Sequence, residues 1–431
     1  MATEHDNLLL WLNAIIWFTT FYIYIRKRGK WTLGMFILGL YTLISFISID
    51  LYNSEYAIHY FNSNLTLFPF LYLFGMILIT TYPILQIKEN DIKTLILPNI
   101  RIINIITFFV GILSIYKLVD IFSDIKMGMA SIMLDSDNAL DLYNESTSAR
   151  LDRKVASGNY DYLSIFSNLS TALAPLIFYI NLLLPRRNKI LFCGVIISLL
   201  LMPLNGIAKA SRILMVIGPF EVFLLFFFFR KFIRPKIRQY LITIGSVFVG
   251  ILLFFIVLIT QGRSSDNDIH FQIFGYERYF AEGPLVFNNY CMDANGTREG
   301  NITFPIIKFV LGEKMLSESD IRFKYSNMRI DNSRFSTYVG DFVLDFAPLQ
   351  ACILFLILSI LLTRALKVRN SSISTAQIVL IYFTMRLVTG FFQYQYSSLS
   401  GNIVFFTLII AYFFFLNQSK RDKNKLYIKS F

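Results

Sequence analysis

Arg278 and Glu282 stand four apart in YERYFAEGP, and Asp341 and Asp345 stand four apart in YVGDFVLDF. At that spacing two residues share one face of an α-helix. An arginine fork can grip phosphate oxygens, and a neighbouring carboxylate can take a proton from a hydroxyl. Glu282, Asp341 and Asp345 are therefore candidate bases, and Arg278 a candidate phosphate ligand. The same spacing fits plainer roles: a local Arg278–Glu282 salt bridge, and Asp341 and Asp345 as helix N-terminal caps. Lys209 and Arg212 close the turn NGIAKASR, and Arg212 opens an apolar block, where a helix N-terminus favours an anion. The plainer reading of both is snorkelling at a membrane edge. Arg263 follows another apolar block, and Arg386 lies inside one, where ionisable residues turn to a bundle interior or a polar cavity. Arg329, Tyr279 and Tyr338 add the mixture of guanidinium and aromatic ring that suits sugar faces and diphosphates.

These residues need elements to hold them, and the composition names the kind. Of 431 residues 55% are hydrophobic and only 16% charged, against roughly 25% charged in soluble domains. The apolar residues fall in blocks long enough to cross a bilayer: 8–25, 31–51, 65–87, 102–122, 163–184, 190–204, 213–229, 240–260, 340–363, 376–391 and 401–417. The fold class is an all-α polytopic membrane protein of roughly eleven spans, one domain over 1–431, the sixth and tenth blocks being the least regular. The net charge of +12 marks topology rather than nucleic acid, because Lys and Arg crowd alternate connections. Positive-inside logic puts the basic turns and the C-terminus in the cytoplasm. It puts 123–162, NGIAKASR, the long segment 262–339 and 392–400 outside. That segment carries many aromatics and both charge signs, which suits a packed, partly helical cap between the eighth and ninth spans rather than a flexible tail. Residues 304–316 read as a helix lying on the membrane surface. Arg150, Arg153 and Lys154 read as solvated charges, and Lys117 as a snorkelling one. Three scattered cysteines and three scattered histidines imply neither a disulfide nor a metal site.

The stretches KASRILMVIGPFEVF, ERYFAEGP and YVGDFVLDFAPLQACILFLIL, and the spacing of Arg329 to Gly340, carry a likeness. The chain resembles the Wzy-type polymerases of O-antigen and related bacterial polysaccharides, the oligosaccharide repeat unit polymerases, over most of its length and mainly in architecture. Ala347 and Pro348 stand where that pattern leads one to expect glycine. The resemblance implies a glycosyltransferase of the inner membrane. A growing glycan on undecaprenyl diphosphate passes to the non-reducing end of another lipid-linked repeat unit, and undecaprenyl diphosphate leaves. Lys209, Arg212, Arg263 and Arg278 would hold the diphosphate, with Arg329, Tyr279, Tyr338 and Arg386 at the glycan or diphosphate. One of Glu282, Asp341 and Asp345 would act as base. The implied partners are lipid-linked glycans, membrane lipid and a chain-length regulator protein, with no nucleic acid, metal or cofactor. The related O-antigen ligase is the nearest alternative. A lipid-glycan flippase or transporter is the alternative of another class, disfavoured by few midplane charges and one lopsided outer loop.

Overall fold

The computed structural model describes residues 3–28, 31–59, 61, 64–134, 162–263, 269–313, 316, 318–330, 334–368, 370–421 and 424–431. The helices in chain order are α1 (Glu4–Arg28), α2 (Leu33–Asn53), α3 (Leu67–Leu85), α4 (Ile100–Leu134), α5 (Tyr162–Leu183), α6 (Lys189–Ala208), α7 (Arg212–Phe229) and α8 (Pro235–Arg263). Then come α9 (Ile269–Val286), the short α10 (Pro305–Val310) and α11 (Glu318–Lys324), α12 (Thr337–Ala365), α13 (Thr375–Val388) and α14 (Ser398–Arg421). Among the described residues ten helices are long and apolar enough to span a membrane. The expected tenth span is instead the 14-residue α13, about 21 Å long at 1.5 Å per residue and short of a ~30 Å hydrocarbon core. The chain is a multi-pass membrane protein.

Where the sequence suggests one domain, the contacts divide into two compact units: Met1–Glu89, Asp268–Val368 and Leu380–Ile409, and Asn90–Asn267, Arg369–Val379 and Ile410–Phe431. In the second unit α4 runs against α6. A Cβ built on Gly194 would sit 2.8 Å from Gly111 Cα, and one on Gly128 would sit 2.5 Å from Ile207 O. Lipid gives helices no hydrophobic reason to associate, so side-chain-free close approach and polar contacts do it. Asn181 Nδ2 on α5 donates to Thr107 Oγ1 on α4 at 2.9 Å. At 35 residues, α4 is about 50 Å long, well beyond one bilayer crossing. The polar outer stretch expected from residue 123 is thus helical to Leu134; the rest of it, with Arg150, Arg153 and Lys154, lies outside the described residues.

The all-α expectation misses a small three-stranded sheet of order β2-β1-β3 in this unit. Its strands are β1 (Thr94–Leu97), β2 (Ser372–Ser374) and β3 (Leu426–Lys429), with β1 parallel to β2 and antiparallel to β3. Strands of three or four residues are too short to show an alternation, and β3 lies in what reads as a basic tail.

In the first unit Thr32 caps α2, its Oγ1 accepting from Met35 N at 3.2 Å, and buried Glu89 accepts from Leu33 N at 2.8 Å. Stacked Trp17 and Tyr41 join α1 to α2, with ring centroids 5.1 Å apart. Ser359 Oγ on α12 donates to Ile79 O on α3 at 2.6 Å.

The helix that matters most here is broken. Ala347 sits at φ 64°, ψ 161° inside α12, a region open almost only to glycine. Pro348 follows as a helix-starting residue, and Tyr72 Oη takes up its carbonyl at 2.6 Å. Before the break every residue from Thr337 to Asp345 is buried; after it Leu349, Ile353, Leu356, Ile357 and Ile360 are exposed. Pro348–Ala365 alone covers about 27 Å, enough for the crossing. Asp341 and Asp345 therefore do not open the span or cap it. They sit in a separate, buried half-helix. The glycine expected from the resemblance is the residue this backbone calls for. Ala347→Gly should raise stability by about 1 kcal/mol, since relief of ~1–3 kcal/mol of strain outweighs the usual entropy cost of glycine. Thermal unfolding in detergent checks it: a lower midpoint than wild type would refute the strain argument.

Candidate functional site

The polar segment between α8 and α12 is folded against the half-helix Thr337–Phe346 around a central side chain, Arg298. It is buried, and its Nε donates to Asp345 Oδ1 at 2.8 Å. Its Nη2 donates to Asp341 Oδ1 at 3.1 Å and to Asp341 O at 3.0 Å. The second Asp345 oxygen accepts from Thr303 N at 2.7 Å, Thr303 Oγ1 at 2.8 Å and Ile302 N at 3.1 Å. Asp341 Oδ2 accepts from Tyr394 N at 2.9 Å, and its Oδ1 from Ser336 Oγ at 3.1 Å. Two buried carboxylates on one helical face would repel each other; the guanidinium between them and these donors make the cluster tolerable. Burial opposes the Arg298 charge, but Asp345 and Asp341 outweigh it and raise its ionisation above the ordinary arginine value.

Arg298 is the residue that sequence reasoning missed. Its partners lie 43 and 47 positions away, so no local spacing marks it. Asp341 and Asp345, read as candidate bases or caps, instead have both oxygens engaged as acceptors. In this geometry they hold the segment in place.

Arg278 and Glu282 do share a face of α9. Arg278 Nη2 lies 3.0 and 3.1 Å from the two Glu282 oxygens. Glu282 has no exposed side-chain surface, while 26% of the Arg278 side chain stays exposed. The buried carboxylate fixes a guanidinium that still reaches the surface. One residue earlier, half-buried Glu277 shares a hydrogen bond with Asp50 of α2. Burial, then the Asp50 hydrogen bond and charge, push the Glu277 carboxyl up to about 7.

The remaining candidates scatter. Tyr279 packs its ring 5.2 Å from Phe335. Tyr338 was expected at the glycan; it is wholly buried, with its hydroxyl against Thr80 and its ring on Phe355, so it packs the core. Arg329 is exposed, with Nη1 2.6 Å from Asp293 Oδ2, while Gly340 lies buried in the half-helix. Arg386 is buried in α13, its guanidinium 5.8 and 5.5 Å from the Tyr382 and Tyr396 ring centroids. It faces the protein interior, as an ionisable residue in an apolar helix should.

Lys209, Arg212 and Arg263 belong to the second unit. Lys209 ends α6, and the left-handed Ala210, φ 46°, turns the chain into α7. Arg212 opens α7 as expected and donates from Nη1 to Thr260 Oγ1 of α8 at 3.2 Å. Arg263 is the last residue of α8, and its side chain lies outside the described residues. The same unit holds Glu221, buried midway along α7, which the expectation of few midplane charges overlooked. No protein-family model, curated protein or solved structure matches the chain.

Proposed function

We propose that the protein is a glycosyltransferase that polymerises undecaprenyl-diphosphate-linked repeat units into O-antigen or a related surface polysaccharide. The work would be done at the outer face of the bacterial inner membrane, with the C-terminus cytoplasmic and the 262–339 segment periplasmic. The observation that carries the reading is Arg278: a partly exposed guanidinium fixed on the wholly buried Glu282, in a folded polar segment of a protein otherwise built of apolar helices. A prefixed fork suits the oxygens of a lipid diphosphate, and stabilising the charge that develops on that leaving group is the electrostatic share of catalysis. In the reaction the acceptor hydroxyl oxygen bonds to the anomeric carbon of the donor glycan. The bond from that carbon to the diphosphate oxygen breaks, and the hydroxyl proton goes to a base.

Glu277 is the carboxyl whose ionisation suits that last task near neutrality. If it is the base, the rate rises with pH through about 7, and Glu277→Gln removes that limb. The stability effect has the opposite sign. A carboxyl raised from 4.5 to about 7 holds a proton in the folded protein that the unfolded chain releases, so the contribution of Glu277 to stability is fully present below 4.5 and is lost as pH rises through about 7. Glu277→Gln should flatten that fall in a thermal-shift series. A wild-type series flat across this range would remove Glu277 from the proposal.

Deleting the gene tests the function itself. A polymerase deletion leaves a single repeat unit on the lipid core, whereas loss of every unit points to a ligase or flippase. The flippase or transporter reading has one observation in its favour, the buried mid-helix Glu221 of α7, since buried membrane carboxylates often line transport paths.

A further inference from the structure

We infer that α10 and the residue after it, Leu311, seat as an apolar wedge in the lipid leaflet on their own side of the membrane. None of the α10 residues is buried. Ile307, Phe309, Val310 and Leu311 are all exposed, Val310 at 78% and Leu311 at 71%. Apolar side chains gain by leaving water, and a helix of six residues has no second face of its own on which to hide them.

Its depth is set by what holds the preceding residues. Thr303 is bound to Asp345, and its carbonyl accepts from Asn402 Nδ2 at 2.9 Å. Ile306 N, in the first turn of α10, donates to Asn402 Oδ1 at 3.4 Å. The Phe304 ring packs on Phe342, Phe346 and Phe405, with centroids 5.8, 6.1 and 5.7 Å away. Asn402 and Phe405 lie in the first turns of the spanning helix α14, about 6 to 10 Å from its start. Phe346 is the last residue before the break, beyond which the span of α12 begins with Leu349, 71% exposed. The base of α10 is thus tied at the level where both spans enter the lipid, and its exposed side chains continue their lipid-facing belt. An amphipathic element so placed buries about 5–10 Å into the headgroup boundary. Lys308, paired with Glu313 at 3.0 Å, supplies the polar rim. The occupant is therefore lipid, whatever reaction the protein catalyses.

Nitroxide labels read this directly. Val310→Cys, Leu349→Cys and Asp293→Cys are made singly in a Cys193→Ser, Cys352→Ser background, and the full chain is reconstituted in phosphatidylcholine vesicles. Collision with oxygen, which partitions into lipid, is compared with collision with a water-soluble nickel chelate. The label at 310 should match the lipid reference at 349, with oxygen collisions exceeding chelate collisions several-fold, and differ from the water reference at 293. A label at 310 that matches 293 would sink the inference. Shielding from both reagents would also sink it, because a protein or a second copy would then cover the wedge.

Discussion

Replacing Arg298 by alanine should cost on the order of 3–5 kcal/mol, enough to leave little folded protein. The reason is the asymmetry of buried ion pairs. Asp341 and Asp345 lie in the interior of the half-helix, and the guanidinium is the cation they share. Without it, two buried carboxylates stand one helical turn apart with no counter-charge. Lysine is a poor substitute: Arg298 uses Nε for one aspartate and Nη2 for the other, and a point ammonium cannot span that fork. Asp345→Asn should also destabilise, by about 1–3 kcal/mol, because an amide nitrogen would meet the Arg298 Nε donor or the Thr303 donors. The two changes share partners, so their combined cost should depart from the sum. Monodispersity after membrane extraction and the unfolding midpoint in detergent measure all three. A normal yield and midpoint for Arg298→Ala would mean that the cluster does not form.

That cluster also marks where reading the sequence stops. Long apolar blocks such as Leu67–Leu85 announce themselves because a lipid-crossing helix must satisfy its backbone internally and present apolar side chains over a fixed length. The Arg278–Glu282 pair was legible for the same kind of reason, since four residues on one helix is a local relation. Arg298 was not, because its pairing with Asp341 and Asp345 depends on how a loop returns onto a distant helix. Ala347 was half legible: a missing glycine in an expected position was visible, but not that the backbone still takes the glycine conformation. The last third of α4 is not legible because SDIKMGMASIML is too polar for a span and still adequate for a helix. Glu221 was passed over because one carboxylate barely changes the hydropathy of RILMVIGPFEVFLLFFFF.

The test of Arg278 has to be built around Glu282. Arg278→Ala alone would take the paired cation from a wholly buried carboxylate and destabilise the fold, so lost activity would report misfolding as readily as lost phosphate binding. In the double variant Arg278→Ala, Glu282→Gln the buried charge is gone with its partner, and the fold should survive near wild-type stability. If Arg278 grips the leaving diphosphate, that variant should still lose about 10²–10³ in turnover, the usual consequence of removing one preorganised donor to developing charge. Arg278→Lys, which keeps the charge and loses the fork, should fall between, near tenfold. Chain extension on a lipid-diphosphate-linked oligosaccharide in vesicles, normalised to folded protein, gives kcat and KM separately. A loss confined to KM would make Arg278 a ground-state anchor, because an interaction made equally before and during reaction does not lower the chemical barrier. Full activity in the double variant would leave the Arg278–Glu282 pair as a strut of α9, and the diphosphate would have to be held elsewhere.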